Sequence, residues 1–146
     1  MAGFYMVQPM MGVMMETRTS VTANEHPPDK IDLVEKLKSF DDRWSPKIIA
    51  GLNGQEVKVA KLEGAFEWHS HPEEDELFLV LEGEFVMEFR ERSVEMKEGQ
   101  IIVVPRGVEH RPVATRICSV LLFEPAGLVN TGDSESSDLT TTGTWI

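Results

Sequence analysis

Cysteine, tyrosine and cationic side chains are scarce in this chain, and each scarcity closes a class of function. One cysteine, Cys118, cannot form an intramolecular disulfide, and no Asn-x-Ser/Thr sequon occurs, so a reducing, cytoplasmic setting is expected with Cys118 in the core. The single tyrosine, Tyr5, lies close to the start, which disfavours a tyrosine as catalytic acid. Lys and Arg number 14 against 25 Asp and Glu, a net charge of −11 that repels phosphate backbones and anionic lipid. Neither nucleic acid nor a membrane is an expected partner. No segment is long and apolar enough to span a bilayer, which takes about 20 residues.

The first residues are apolar without being a secretory signal. Met1 to Met15 holds five methionines after the first and no Lys or Arg ahead of the apolar run. We read 1–28 as a disordered leader in which Met11, Met14 or Met15 are alternative starts, and His26, beside Pro27 and Pro28, as solvated. The rest suffices for one domain over 29–125. From 126 to 146 the chain turns to Gly, Thr, Ser and Asp, which suggests a flexible tail with Trp145-Ile146 as its one docking point.

One helix is expected between Asp29 and Asp41. Ile31, Leu33, Val34 and Leu37 recur at helical spacing, Asp29 is placed to cap, and Asp32 can pair with Lys36. From Ser45 onward, short runs of Val, Ile, Leu and Phe broken by Gly, Pro or charge read as antiparallel strands near 47–52, 55–63, 67–71, 75–82, 84–90, 93–97, 100–104, 109–115 and 117–123. The class is all-β, a sandwich or barrel. In 76–81, Glu76, Phe78 and Val80 share one face while Leu77, Leu79 and Leu81 share the other. A strand apolar on both faces needs cover outside its own barrel, so a homodimer is expected. Phe85, Met87 and Phe89 alternate with charged residues and point inward.

Chemistry concentrates in two stretches, His69-Ser70-His71-Pro72-Glu73-Glu74-Asp75-Glu76 and Pro105-Arg106-Gly107-Val108-Glu109-His110. Three imidazoles and a carboxylate suit a divalent first-row transition ion. On an extended strand His69 and His71 project the same way, whereas Ser70 and Trp68 point elsewhere. The same parity turns Glu109 away from His110. Arg106 and Arg111 flank the second stretch, where a guanidinium can meet an anionic substrate or simply serve solubility.

The two stretches resemble the motif blocks of the cupins. The first block, G(X)5HXH(X)3,4E(X)6G, is met by Gly64, His69, His71, Glu76 and Gly83, with four residues rather than five after Gly64. The second, G(X)5PXG(X)2H(X)3N, is met by Gly99, Pro105, Gly107 and His110, with Ala114 at the Asn position. The resemblance covers about 45–123 and is similar to the mannose-6-phosphate-isomerase-like small cupins in fold and ligands; the extra domains of the true isomerases have no counterpart here, so their substrate is not carried over. It implies a conical, jelly-roll-like barrel with a metal held by His69, His71, Glu76 and His110. Asp75 is the fallback ligand. Iron, manganese, zinc, nickel and copper all occur in such proteins, so the ion stays open. Two functions follow. One is a metal-dependent enzyme, an isomerase, lyase or iron-dependent dioxygenase acting on a small sugar- or organic-acid-like molecule. The other is a non-catalytic module that binds or senses a small ligand.

Overall fold

Asp32 decides where the first element begins. Its Oδ1 accepts the backbone N–H groups of Val34 and Glu35 at 2.9 and 3.1 Å, so α1 runs over Leu33–Lys38 only. The helix is therefore shorter than the 29–41 span, and its cap is Asp32, not Asp29. The expected Asp32–Lys36 pair gives way, because Lys36 Nζ donates to the carbonyl oxygen of Ile146 at 2.7 Å. Leu33 and Leu37 pack with Phe40, Ile49 and Val59. The computed structural model describes residues 28–146, so the expected leader up to residue 27, with Tyr5, His26 and the alternative starts, lies outside the described residues.

Eight strands follow: β1 Lys47–Leu52, β2 Gln55–Ala65, β3 Glu76–Glu82, β4 Glu84–Phe89, β5 Ser93–Lys97, β6 Ile101–Val104, β7 His110–Pro125 and β8 Thr144–Trp145. β1 and β2 are joined at Asn53-Gly54, both at positive φ (52° and 78°), which matches the twist of a two-residue hairpin. Two expectations need correction. Residues 67–71 form no strand, only a single bridge between His69 and His110. The two strands expected at 109–115 and 117–123 are one strand, β7.

That strand organises the fold. Ala114 stands opposite Gly64 and Cys118 opposite Leu62, so Thr115, Arg116 and Ile117 face Glu63 alone. This bulge bends β7 enough for it to serve two layers. Before it, β7 pairs with β4 (Phe89 with His110, Val86 with Val113); after it, β7 pairs with β3 (Val80 with Val120, Leu77 with Phe123). The sheet order is β5-β4-β7-β2-β1-β8, with β3 joining β7 to β6. The result is a jelly-roll-like double layer whose hydrogen-bonded ladder does not close on itself. Between the layers lie Ala60, Leu62, Phe78, Val80, Phe85, Met87, Met96, Val104, Ala114, Cys118, Val120 and Leu122. Inward parity in β3 and β4 is as the alternation predicts, and Cys118 is fully buried.

Outside, β3, β6, β7 and β2 align two apolar rows by register: Val103, Leu77, Phe123 and Val57, then Ile101, Leu79, Leu121 and Val59. α1 covers only the β2 end, and Ile101 and Val103 remain 61% and 51% exposed. The segment from 126, read above as a flexible tail, is tied to the sheet. Asn130 Nδ2 donates to the carbonyls of Trp44 (3.3 Å) and Leu139 (2.8 Å), Thr131 is buried, and β8 runs parallel to β1 with Trp145 beside Ile48.

Candidate metal centre

His69 and His110 exchange both backbone hydrogen bonds, N–H to O, at 3.1 and 2.9 Å. Residues so paired carry their side chains on one face, and the two rings lie 4.3 Å apart between centroids. His110 is delivered by a turn in which Val108 N–H donates to Pro105 O at 3.2 Å. Gly107, at φ +76°, takes the turn position that an L side chain resists, and its N–H donates to His71 O at 2.8 Å. Glu76, first residue of β3, enters from the opposite layer on the same inward face as Phe78 and Val80.

Thus His69, His71, Glu76 and His110 meet, all buried, each offering one ligand atom within 4.8 Å of the others. Atoms bound to one ion at about 2.0–2.2 Å are at most about 4.4 Å apart, so slight contraction suffices. The donor set fits a cation on three further observations. Carbonyl oxygens only accept, so Glu67 O and Val108 O, each 2.9 Å from Nδ1 of His69 and His110, fix the proton on Nδ1 and leave Nε2 as the lone pair. Nε2 of His71 and His110 lie 3.4 and 3.3 Å from Glu76 Oε2. These three atoms are buried without hydrogen-bond partners, an expensive arrangement unless a cation sits among them.

The electrostatics agree. Burial pushes the Glu76 carboxyl up, yet in the metal-free chain hydrogen bonds from the His110 and His71 rings, which need an Nε2 proton whose place a cation would take, outweigh it and hold it below the usual carboxylate range. Burial, and next the neighbouring His110, lower His69 to about 4, so it is neutral at physiological pH, as a ligand must be.

The other nominated residues lie elsewhere. Asp75 accepts from the backbone N–H of Arg106 at 2.9 Å and from its Nε at 3.2 Å, out of the cluster. Glu109 takes both guanidinium bonds of Arg90 at 2.9 and 2.6 Å, and Arg111 Nε donates to Glu88 at 2.6 Å. Trp68 faces away from the cluster, as parity requires, with the guanidinium of Arg90 stacked 3.9 Å from its ring centroid.

Sequence reading missed a buried pair behind Glu76. Lys58 Nζ donates to Glu124 Oε1 at 2.8 Å, lies 3.2 Å from Glu56, and also reaches Thr142 O at 3.1 Å. Lys58 and Glu124 are only 1% and 2% exposed. Burial, then the Glu76 charge, raise the Glu124 carboxyl against the pull of Lys58. The signal was parity: Lys58 shares the inward face with Ala60 and Leu62, and Glu124 with Val120 and Leu122. Beside the cluster lies a cavity of about 30 Å³ in which His69 and Glu76 meet the apolar wall of Trp44, Phe66, Phe78 and Leu122, with Asn130 at its edge.

Comparison with known proteins agrees with this fold. Residues 55–123 match the cupin domain family. A 64-residue stretch is 38% identical to the uncharacterized protein YdbB of Bacillus subtilis (strain 168), covering 43% of this chain and 57% of that protein's length. The crystal structure of a cupin-2 domain containing protein from Shewanella frigidimarina is similar at a TM-score of 0.65 and 39% identity, over 65% of this chain and 93% of that one. Protein NMB1881 from Neisseria meningitidis is similar at 0.62 and 32%, over 66% and 99%.

Proposed function

This chain belongs to the cupin family, and on that premise we propose that it holds a divalent transition metal through His69, His71, Glu76 and His110 and acts as a metal-dependent enzyme on a small sugar- or organic-acid-like molecule. The observation that carries the reading is the set of buried, partnerless donor atoms of His71, Glu76 and His110 converging inside the barrel. Bound there, such an ion supplies Lewis acidity toward a carbonyl or carboxylate oxygen, or, as iron, redox chemistry.

The chain's own residues do the rest. The carbonyls of Glu67 and Val108 keep two rings in the tautomer that presents Nε2 inward. Phe66, Phe78 and Leu122 keep bulk water from the face where His69 and Glu76 meet the cavity. Glu124, its carboxyl raised by burial, holds a proton next to the ligand set more readily than a surface carboxylate does. One observation favours the second reading, a non-catalytic module for a small ligand: the cavity is narrow and almost wholly apolar. The open rows of β3 and β6 support a homodimer.

The test is elemental analysis of protein purified without affinity tag or chelator. Stoichiometric iron, manganese, nickel, copper or zinc supports the reading; iron then directs assays to oxygen consumption, the others to isomerase and lyase substrates. Protein that contains no metal and accepts none removes the catalytic reading and leaves ligand binding.

A further inference from the structure

The arm that carries two of the four donors is poorly held by the sheet. Residues 67–71 form no strand. Their backbone ties to the second motif are the His69–His110 exchange and the Gly107 N–H to His71 O bond. His71 is the weak point. The other two rings have a carbonyl on Nδ1, whereas Nδ1 of His71 has no partner. Something else must fix its direction.

That role falls to a segment beyond the family-matched region. We propose that Gly132 and Asp133 are positioning residues for the metal-ligand arm: they clamp Ser70 from outside and so aim His69 and His71 at Glu76 and His110. The proposal rests on the metal reading above. Asp133 makes three hydrogen bonds to the one residue between the two histidines. Its Oδ1 accepts the Ser70 N–H at 2.6 Å, its Oδ2 accepts the Ser70 hydroxyl at 2.9 Å, and its own N–H donates to Ser70 O at 3.0 Å. Donor and acceptors together fix the Ser70 peptide on both sides, and the flanking side chains follow from it.

Gly132 makes the approach possible. A Cβ there would fall 2.1 Å from Ser70 O and 3.2 Å from His71 Nδ1, and φ is +53°. Only a residue without a side chain lets the clamp close on the arm. The far end of the arm is gripped too, because Ser134 Oγ donates to Glu67 Oε2 at 3.2 Å, and Glu67 supplies the carbonyl on His69. The clamp is itself braced: Thr131 is buried against Thr140 (Oγ1 to Oγ1, 3.1 Å), and Asn130 Oδ1 accepts the Thr141 N–H at 2.8 Å.

The experiment compares the full chain with Asp133→Ala, Asp133→Asn and the control Glu135→Ala, an exposed acid on the same segment. Each is loaded with Co2+, and three quantities are read: its visible absorption, its release rate to excess chelator, and amide hydrogen exchange at Ser70 and His71 in metal-free protein. Asp133→Ala is expected to release Co2+ about 10–100-fold faster, the scale found for groups that orient ligands. Its cobalt bands change and the two amides lose protection. Asp133→Asn, which keeps one acceptor oxygen, falls between, and Glu135→Ala matches the parent. A variant that unfolds at lower temperature yet keeps the parent's cobalt spectrum and release rate overturns the proposal, since the clamp would then be merely structural. If the parent chain binds no Co2+, the metal reading fails on its own, and the metal-free exchange decides the clamp: unchanged protection in Asp133→Ala overturns it.

Discussion

Replacing His71 by alanine tests the ligand set most directly, because the stabilisation that depends on metal can be separated from the cost of the truncation. An ion that binds only the folded chain stabilises it by RT ln(1 + [L]/Kd), about 2.7 kcal/mol at a free concentration of 100 Kd. For a domain of this size 1 kcal/mol moves the melting temperature by about 4 °C, so the parent should gain about 10 °C on adding metal. His71 is only 3% exposed, so its removal also lowers the metal-free baseline. Each protein is therefore melted twice, with chelator and with metal, and only the increment is compared. With three donors left, His71→Ala should show an increment near zero and lose bound metal by elemental analysis. Glu109→Ala supplies the contrast: Glu109 is tied to Arg90, so the parent increment should survive. Equal increments in His71→Ala and the parent would refute the assignment, and loss of the increment in Glu109→Ala would refute the geometry.

Lys58→Met strands Glu124 beside Glu76 and should cost about 3–5 kcal/mol in urea unfolding, Glu124→Leu should cost less because Lys58 keeps Glu56 at 3.2 Å, and the double replacement should cost less than the sum of the two; additive losses would show that the two groups are not coupled. In metal-free protein the neutral, buried His69, with its pKa lowered from 6.5 to about 4, binds its proton later than the unfolded chain does. Stability should therefore fall as pH drops from 6.5 toward 4, by on the order of 3 kcal/mol, and the fall should shrink in His69→Asn; identical pH profiles would contradict this. Leu79→Glu or Val103→Glu places charge in the open rows of β3 and β6 and should turn a sedimenting dimer into a monomer. A parent chain that sediments as a monomer removes the dimer.

How far the sequence could be read varied with the range of the forces involved. Inward parity at Glu76, Phe78 and Val80 and at His69 and His71 was legible because alternation is local, and the offsets of Gly107 and His110 carried the turn. Parity also turned Glu109 and Trp68 to the outer side, where both meet Arg90. What escaped depended on partners distant in sequence. β7 was read as two strands parted at Arg116, although β2 on one side and two layers on the other keep the strand continuous. The tail was read from composition, yet Asp133, Asn130 and Ser134 there hydrogen-bond to Ser70, Trp44 and Glu67 respectively. Asp29 was read as the cap, and the hydrogen bonds give that role to Asp32 instead.

The place of β7 in the sheet also bears on how the molecule is made. β2, β3 and β4 all pair with this one strand, and it follows all three in the chain. Until residues 110–125 have left the ribosome, those earlier strands have open edges and no common partner, so local hairpins can form but the double layer cannot. The nascent chain therefore carries unpaired strand edges until β7 is available. Assembly of the double layer is a late event, and the donors of Glu76 and His110 meet only after it.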